Sequence, residues 1–329
     1  MSEFFASYGM FLLETVTIVL LIVFAVLVIL SAARKNQAQD GLRVEHINKQ
    51  IEQREQVVRR ALAGRGDSRK LARQQKKQRK AERKKKKLDP STTKPRLFVL
   101  DFKGDIRASA TASLREEVSA IIDVAEKDDE VLLRLENAGG AVHEHGLAAS
   151  QLLRLRARGI LLTIAVDKVA ASGGYLMACA ADRIIAAPYA ILGSIGVLVQ
   201  LPNFHRLLEE KGVDFEQITA GRYKRTLTLF GENTDEGREK MKKELVEVHE
   251  LFQNQVKELR PIVDLEQVAT GEHWYGSQAL ELKLIDEIGT SDDYLLKAAE
   301  SAEVFRISYR RHRKPLERVL AGAEGLLYR

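Results

Sequence analysis

The 329-residue chain has a single cysteine, Cys179, so no disulfide can close within it. That thiol lies in the apolar stretch Leu176 to Ala181, where a cysteine behaves as a small buried hydrophobe. Histidine is sparse as well: the seven residues are scattered. His143 and His145, two apart, suit neither a helical metal pair nor a zinc-protease motif. Without Cys and His at ligand spacing, nothing in the sequence asks for a metal or a cofactor. No repeat recurs at a fixed period, which excludes solenoid architectures. The first 33 residues contain no Lys or Arg, so the basic start of a cleavable signal peptide is missing.

An apolar run is present in its place. Thr15 to Ala33 is uncharged and long enough to cross a bilayer core as a helix. Phe4, Phe5, Tyr8, Phe11, Leu12 and Leu13 extend it, with Glu14 as an interruption. The run shows no polar face, which argues against a buried core helix. Residues 1–33 are therefore expected to be a retained single-pass membrane anchor.

The net charge of +6 is local. Between Arg34 and Asp89 there are 20 Lys and Arg against 7 Asp and Glu, a balance of +13 that leaves −7 on the rest of the chain. That distribution weakens a nucleic-acid reading of the whole protein, and no nucleic-acid partner is expected. Residues 34–95 read as a basic linker, helical or disordered, because Val44, Ile47, Ile51, Val57, Val58, Leu62 and Leu71 are too sparse for a core. It serves either as a spacer or as a clamp on anionic lipid headgroups. The positive-inside rule would keep this flank cytoplasmic, with the short N-terminus outside.

From Arg96 the pattern alternates. Strands are expected at Leu97–Phe102, Val131–Leu135 and Ile160–Val166, and extended segments at Leu192–Val199 and Phe215–Ala220. Helices are expected at Thr111–Glu126, at about Val142–Ala157, from Ser172, and at Thr234–Leu259. Alternation with mostly buried strands implies an α/β domain with a parallel sheet, here over 96–309. Trp274 and Tyr275 read as core aromatics. The tail, 310–329, carries Leu316, Val319, Leu320 and Leu326 among arginines, a pattern for an amphipathic surface helix or a frayed end.

Glycine pairs fall at two expected strand-to-helix junctions: Asn137-Ala138-Gly139-Gly140, and Ala171-Ser172-Gly173-Gly174. Glycine lets backbone approach a substrate carbonyl, and free amides at a helix start can hold an anion. A nucleophile beside two amide donors is what a tetrahedral oxyanion requires. Read alone, Ser172 is equally a helix N-cap. A nucleophilic serine also needs a base. Spacing leaves a Ser-His-Asp triad open, because triads are spatial. Lys224 and Lys168 are the lysine candidates. An amine with an ordinary pKa of about 10.4 works near neutral pH only when burial lowers it, so the lysine is expected to be shielded from water.

Ala170-Ala171-Ser172-Gly173-Gly174-Tyr175, Gly193-Ser194-Ile195-Gly196-Val197 and Gly221-Arg222-Tyr223-Lys224 together resemble the signal peptide peptidase family. Glu272 to Ala279, leading into Leu284-Ile285-Asp286-Glu287-Ile288-Gly289, matches a further block, and the likeness covers roughly residues 96–300. The resemblance implies a Clp protease/crotonase-like spiral of ββα units. It makes Ser172 the nucleophile, Lys224 the general base and Ser194 the hydroxyl that holds the lysine amine. Gly173 and either Gly139 or Gly140 become the oxyanion donors. The family usually reads Ser-Pro-Gly-Gly where this chain has Asn137-Ala138-Gly139-Gly140, so the turn lacks a φ-locking proline. Arg225 and Thr226 likewise stand where many relatives carry a proline nearby. The implied activity is endopeptidase cleavage of extended hydrophobic, signal-peptide-like or membrane-protein substrates. A homo-oligomer in the bacterial inner membrane is also implied, its domain outside the cytoplasm, in conflict with the basic flank. The competing readings are a catalytically weak membrane scaffold and a crotonase-type acyl-CoA enzyme, which would share the fold and the amide pair.

Overall fold

A computed structural model describes residues 15–21, 23–24, 41–62 and 94–310. Residues 15–21 and 23–24 are helical and exposed. The remainder of the expected anchor, linker residues 34–40 and 63–93 and tail residues 311–329 lie outside the described residues. Among the described residues, no helix is long and apolar enough to cross a membrane.

The elements run β1 (Gly41–His46), α1 (Ile47–Leu62), β2 (Arg96–Lys103), α2 (Thr111–Val124), β3 (Glu130–Glu136), α3 (Val142–Ala157), β4 (Leu161–Val166), β5 (Val169–Ala171) and α4 (Gly173–Ala178). After them come β6 (Arg183–Ala186), β7 (Ile191–Gly193), α5 (His205–Glu210), α6 (Asp235–Leu259), α7 (Leu265–Val268), β8 (His273–Tyr275), α8 (Gly276–Glu281), β9 (Glu287–Ile288), α9 (Ser291–Ser301) and β10 (Glu303–Arg310).

A larger sheet has the order β1-β10-β2-β3-β4-β6-β9, parallel at every pairing from β10 to β9. A smaller sheet, β5-β7-β8, is parallel at β5/β7 and antiparallel at β7/β8. Helices cover both faces of the larger sheet, which is why its strands read as continuous apolar runs. Phe98, Leu100 and Phe102 of β2 point into the main core with Leu133, Ile164 and Leu152. Leu97 and Val99, one residue out of phase, point to a second cluster with Leu132, Ala165, Ile185 and Leu295. Side chains alternate along a strand, so each strand feeds both cores. Trp274 packs against the main core, whereas Tyr275 is exposed.

Three sequence expectations are corrected. First, residues 41–46, placed in the linker, form an outer strand of the larger sheet. They pair with β10, and just beyond them Asn48 of α1 donates its amide to the carbonyls of Ala299 (3.1 Å) and Ala302 (3.0 Å) while its oxygen accepts from Val304 N (2.7 Å). One carboxamide leaves no hydrophobic periodicity to read. Second, the extended segment expected over 192–199 stops at Gly193, where Ser194 turns the chain with φ 51°. Third, Phe215–Ala220 forms no regular element.

Candidate active site

Each glycine pair sits at the junction expected for it, and the smaller sheet brings the two junctions together. Asn137 bridges to β5: its N–H donates to Val169 O (2.9 Å), and its carbonyl accepts from Ala171 N (3.0 Å). The parallel register pairs Ala171 with Gly193, so Ser172 and Ser194 follow the ends of β5 and β7 at the same level. Ser172 N donates to Gly193 O at 2.8 Å, and Leu176 N closes the first helical turn on Ser172 O at 3.0 Å.

Ser172 and Ser194 both adopt φ 51°. A non-glycine residue held there costs about 1–3 kcal/mol, and such strain clusters at functional sites. Ser172 stands at the N-cap of α4, yet its side chain makes no capping hydrogen bond. The capping role that the sequence left open is therefore not the one its hydroxyl fills. Ser194 Oγ donates to Gly271 O at 3.4 Å, a long and weak contact.

The glycines are required by contact as well as by dihedral. Gly139 has φ 92°, and a Cβ there would lie 2.7 Å from Ser172 Cβ and 2.9 Å from Gly173 N. Gly139 N donates to Asn137 Oδ1 at 2.9 Å and is thereby occupied. Among the described residues, the amides of Gly140 and Gly173 have no acceptor. Both glycines and Ser172 line a cavity of about 170 Å³ whose other walls include Val142, Leu176, Val197, Val248 and Phe252. Two unengaged N–H groups and a free hydroxyl around one largely apolar cavity are the parts that a tetrahedral oxyanion requires.

The structure does not bring the expected base to this cluster. Lys224 is exposed, in a turn where its N–H donates to Gly221 O (3.1 Å), and among the described residues its amine makes no hydrogen bond or ion pair. The surrounding stretch, 197–230, contains one short helix, α5, and displays Leu198, Phe204, Phe215, Ile218 and Tyr223 to solvent. The rival lysine is engaged elsewhere: Lys168 Nζ pairs with Glu136 at 3.1 Å. Hydrogen bonds from Lys103 and Lys168 hold the Glu136 carboxyl below its ordinary range. No histidine hydrogen-bonds Ser172 among the described residues. The buried His145 ring lies between two acceptors, with Nδ1 2.9 Å from Ala141 O and Nε2 3.2 Å from Asn137 Oδ1. These two polar residues beneath the site were missed from sequence. The only available signal was an Asn two residues before a Gly, the spacing of an Asx-turn.

Cys179 is buried, and burial pushes its thiol up to about 12. Among the described residues, no group of three or more His, Cys, Asp or Glu could hold a metal ion.

Residues 3–152 match the peptidase family S49 N-terminal region, and residues 154–305 match peptidase family S49. The chain is 46% identical over 326 residues to "Probable protease SohB" of Haemophilus influenzae, covering 94% of this chain and 90% of that protein. The chain belongs to peptidase family S49. This S49 peptidase is also 58% identical over 228 residues to "Probable protease SohB" of Buchnera aphidicola from Acyrthosiphon pisum, covering 69% of the chain and 68% of that protein. Among solved structures it is similar to a mutant of the 1510-N membrane-bound stomatin-specific protease in complex with a substrate peptide. There the TM-score is 0.46 at 13% identity, covering 70% of this chain and 98% of that one.

Proposed function

We propose that this S49 peptidase is a membrane-anchored serine endopeptidase in which Ser172 is the nucleophile and Lys224 the general base. The observation that carries this reading is the uncapped Ser172 hydroxyl, held at φ 51° beside two unengaged amides at the end of an apolar cavity. In the proposed reaction the neutral Lys224 amine takes the Ser172 proton, and Oγ bonds to the substrate carbonyl carbon. The resulting oxyanion accepts from Gly140 N and Gly173 N. The C–N bond then breaks, the lysine proton passes to the leaving amine, and water hydrolyses the acyl-enzyme. Extended apolar peptides, such as signal-peptide remnants or membrane-protein fragments, fit the cleft.

Lys224 needs a cover before it can act, because an amine in water stays protonated at neutral pH. A homo-oligomer supplies one: a second copy seated on the exposed apolar residues of 197–230 would bury them and exclude water from the lysine. Ser194, with its weak contact to Gly271, is then free to turn its hydroxyl to the amine. The β4–β5–α4 succession, a strand in each sheet followed by a helix, supports the Clp protease/crotonase spiral. Residues 1–33 would anchor the chain in the bacterial inner membrane, and the basic stretch after them would meet anionic lipid. A C-terminal reporter fusion tells a periplasmic domain from a cytoplasmic one.

The test is a fluorophosphonate probe with the labelled residue mapped. Label is expected on Ser172 and is expected to disappear in Lys224→Ala while the fold stays intact. Label that persists in Lys224→Ala would remove the lysine from the mechanism. The exposure of Lys224 favours one second reading, a catalytically weak membrane scaffold, and an unlabelled Ser172 in the assembled protein would select it.

A further inference from the structure

The carboxamide of Asn137 is 1% exposed and the His145 ring 0% exposed, directly under the loop that joins β3 to α3. Polar groups buried this deeply are costly unless they are hydrogen-bonded. Those of Asn137 are spent on the loop and its neighbours. Oδ1 accepts from Gly139 N at 2.9 Å and lies 3.2 Å from His145 Nε2, while Nδ2 faces Met177 Sδ at 3.3 Å. Gly104 closes the box from above, since a Cβ there would fall 2.4 Å from Asn137 Cγ.

The loop is thus gripped on both sides of one residue. The amide before Gly140 goes to Asn137, and the amide after it, on Ala141, donates to Ile106 O at 2.8 Å. The carbonyl of Ala141 accepts from His145 N at 3.1 Å and lies 2.9 Å from His145 Nδ1. Of the two loop amides left without an acceptor among the described residues, on Ala138 and Gly140, only Gly140 belongs to a residue that lines the cavity.

We propose that Asn137 is a positioning residue. By engaging the Gly139 amide with His145 at its back, it selects Gly140, with Gly173, as the pair of donors to the oxyanion. This rests on Ser172 being the nucleophile proposed above. A residue that only fills the core would affect stability and substrate binding together. A positioning residue affects the transition state alone.

The experiment uses the full chain and compares wild type, Asn137→Ala and Asn137→Ser on a fluorogenic apolar peptide and a peptide boronic acid. Hydrogen exchange over residues 137–141 is followed in parallel. In Asn137→Ala, kcat is expected to fall about 10- to 100-fold with KM within about twofold, less than or comparable to losing one oxyanion donor outright. Boronate affinity should fall in proportion to kcat/KM, and Gly139 exchange should quicken. Asn137→Ser should recover part of the loss, because a serine hydroxyl can accept from the amide two residues on. A KM rise that accounts for the loss, identical Ala and Ser variants, or unchanged Gly139 exchange would each overturn the proposal. An unlabelled wild-type Ser172 would instead sink the peptidase reading, while the exchange measurement still judges the Asn137–Gly139 bond. Should Asn137→Ala fail to fold, Asn137→Ser and His145→Gln carry the same comparison.

Discussion

Replacing Gly174 by alanine tests whether the two glycine junctions work as one unit. A Cβ at Gly174 would stand 2.1 Å from Asn137 O, a backbone atom that cannot rotate out of the way. Ordinary van der Waals contact begins near 3.4 Å, so the β3–α3 loop and α4 must separate by about 1 Å. Overpacking of this kind costs typically about 1–3 kcal/mol. Alanine returns up to about 1 kcal/mol by suiting a helix better than glycine. The variant should therefore fold, destabilised by no more than about 3 kcal/mol. Activity should suffer more, because the displaced atoms belong to the loop that presents Gly140 opposite Ser172. A misplacement of about 1 Å is worth roughly 100-fold in rate, or about 2.7 kcal/mol of barrier. The assay pairs a urea melt with the rate of Ser172 labelling by a fluorophosphonate. A folded Gly174→Ala protein labelled at the wild-type rate would refute the reasoning.

Gly146 gives the opposite sign: it lies inside α3, and a Cβ there meets nothing within 4 Å, so Gly146→Ala should raise stability by about 0.5–1 kcal/mol in the same melt. Asp286 accepts from both terminal nitrogens of Arg260, at 3.1 and 2.9 Å, and from Ile184 N at 2.7 Å, and Arg260 is 5% exposed. Asp286→Ala strands a buried guanidinium and should cost about 3–5 kcal/mol, read as a lower unfolding midpoint. Burial alone would raise the Asp129 carboxyl, but hydrogen bonds from Arg96 and from the Glu126 and Arg96 amides outweigh it and leave it lowered. A lowered carboxyl contributes stability that is full above its unfolded value and is lost as pH falls through the folded one. Acid unfolding below about pH 4 should therefore be shallower in Asp129→Asn, measured by circular dichroism against pH. Cys179, buried with its thiol near 12, should resist a thiol reagent in the native protein and react on unfolding.

The long helices and the first buried strands of the main domain were legible in the sequence, whereas its short strands and helices were not. Periodicity is a local property: α3 spans Val142–Ala157 as its spacing indicates, and β2, β3 and β4 lie where the apolar runs fall. The two glycine junctions and Ser172 could be read for the same reason. Tertiary structure alone decided which polar groups are already spent. Contacts between residues far apart in sequence joined Lys168 to Glu136 and Asn48 of α1 to Val304, while a local one, Asn137 to Gly139, took the Gly139 amide out of the donor set. It also left Lys224 exposed, in a segment that displays Leu198, Ile218 and Tyr223 to solvent in the single chain. Spacing along a chain encodes which face a residue presents, whereas the occupancy of a donor, and the burial of an amine, depend on what the fold carries to it.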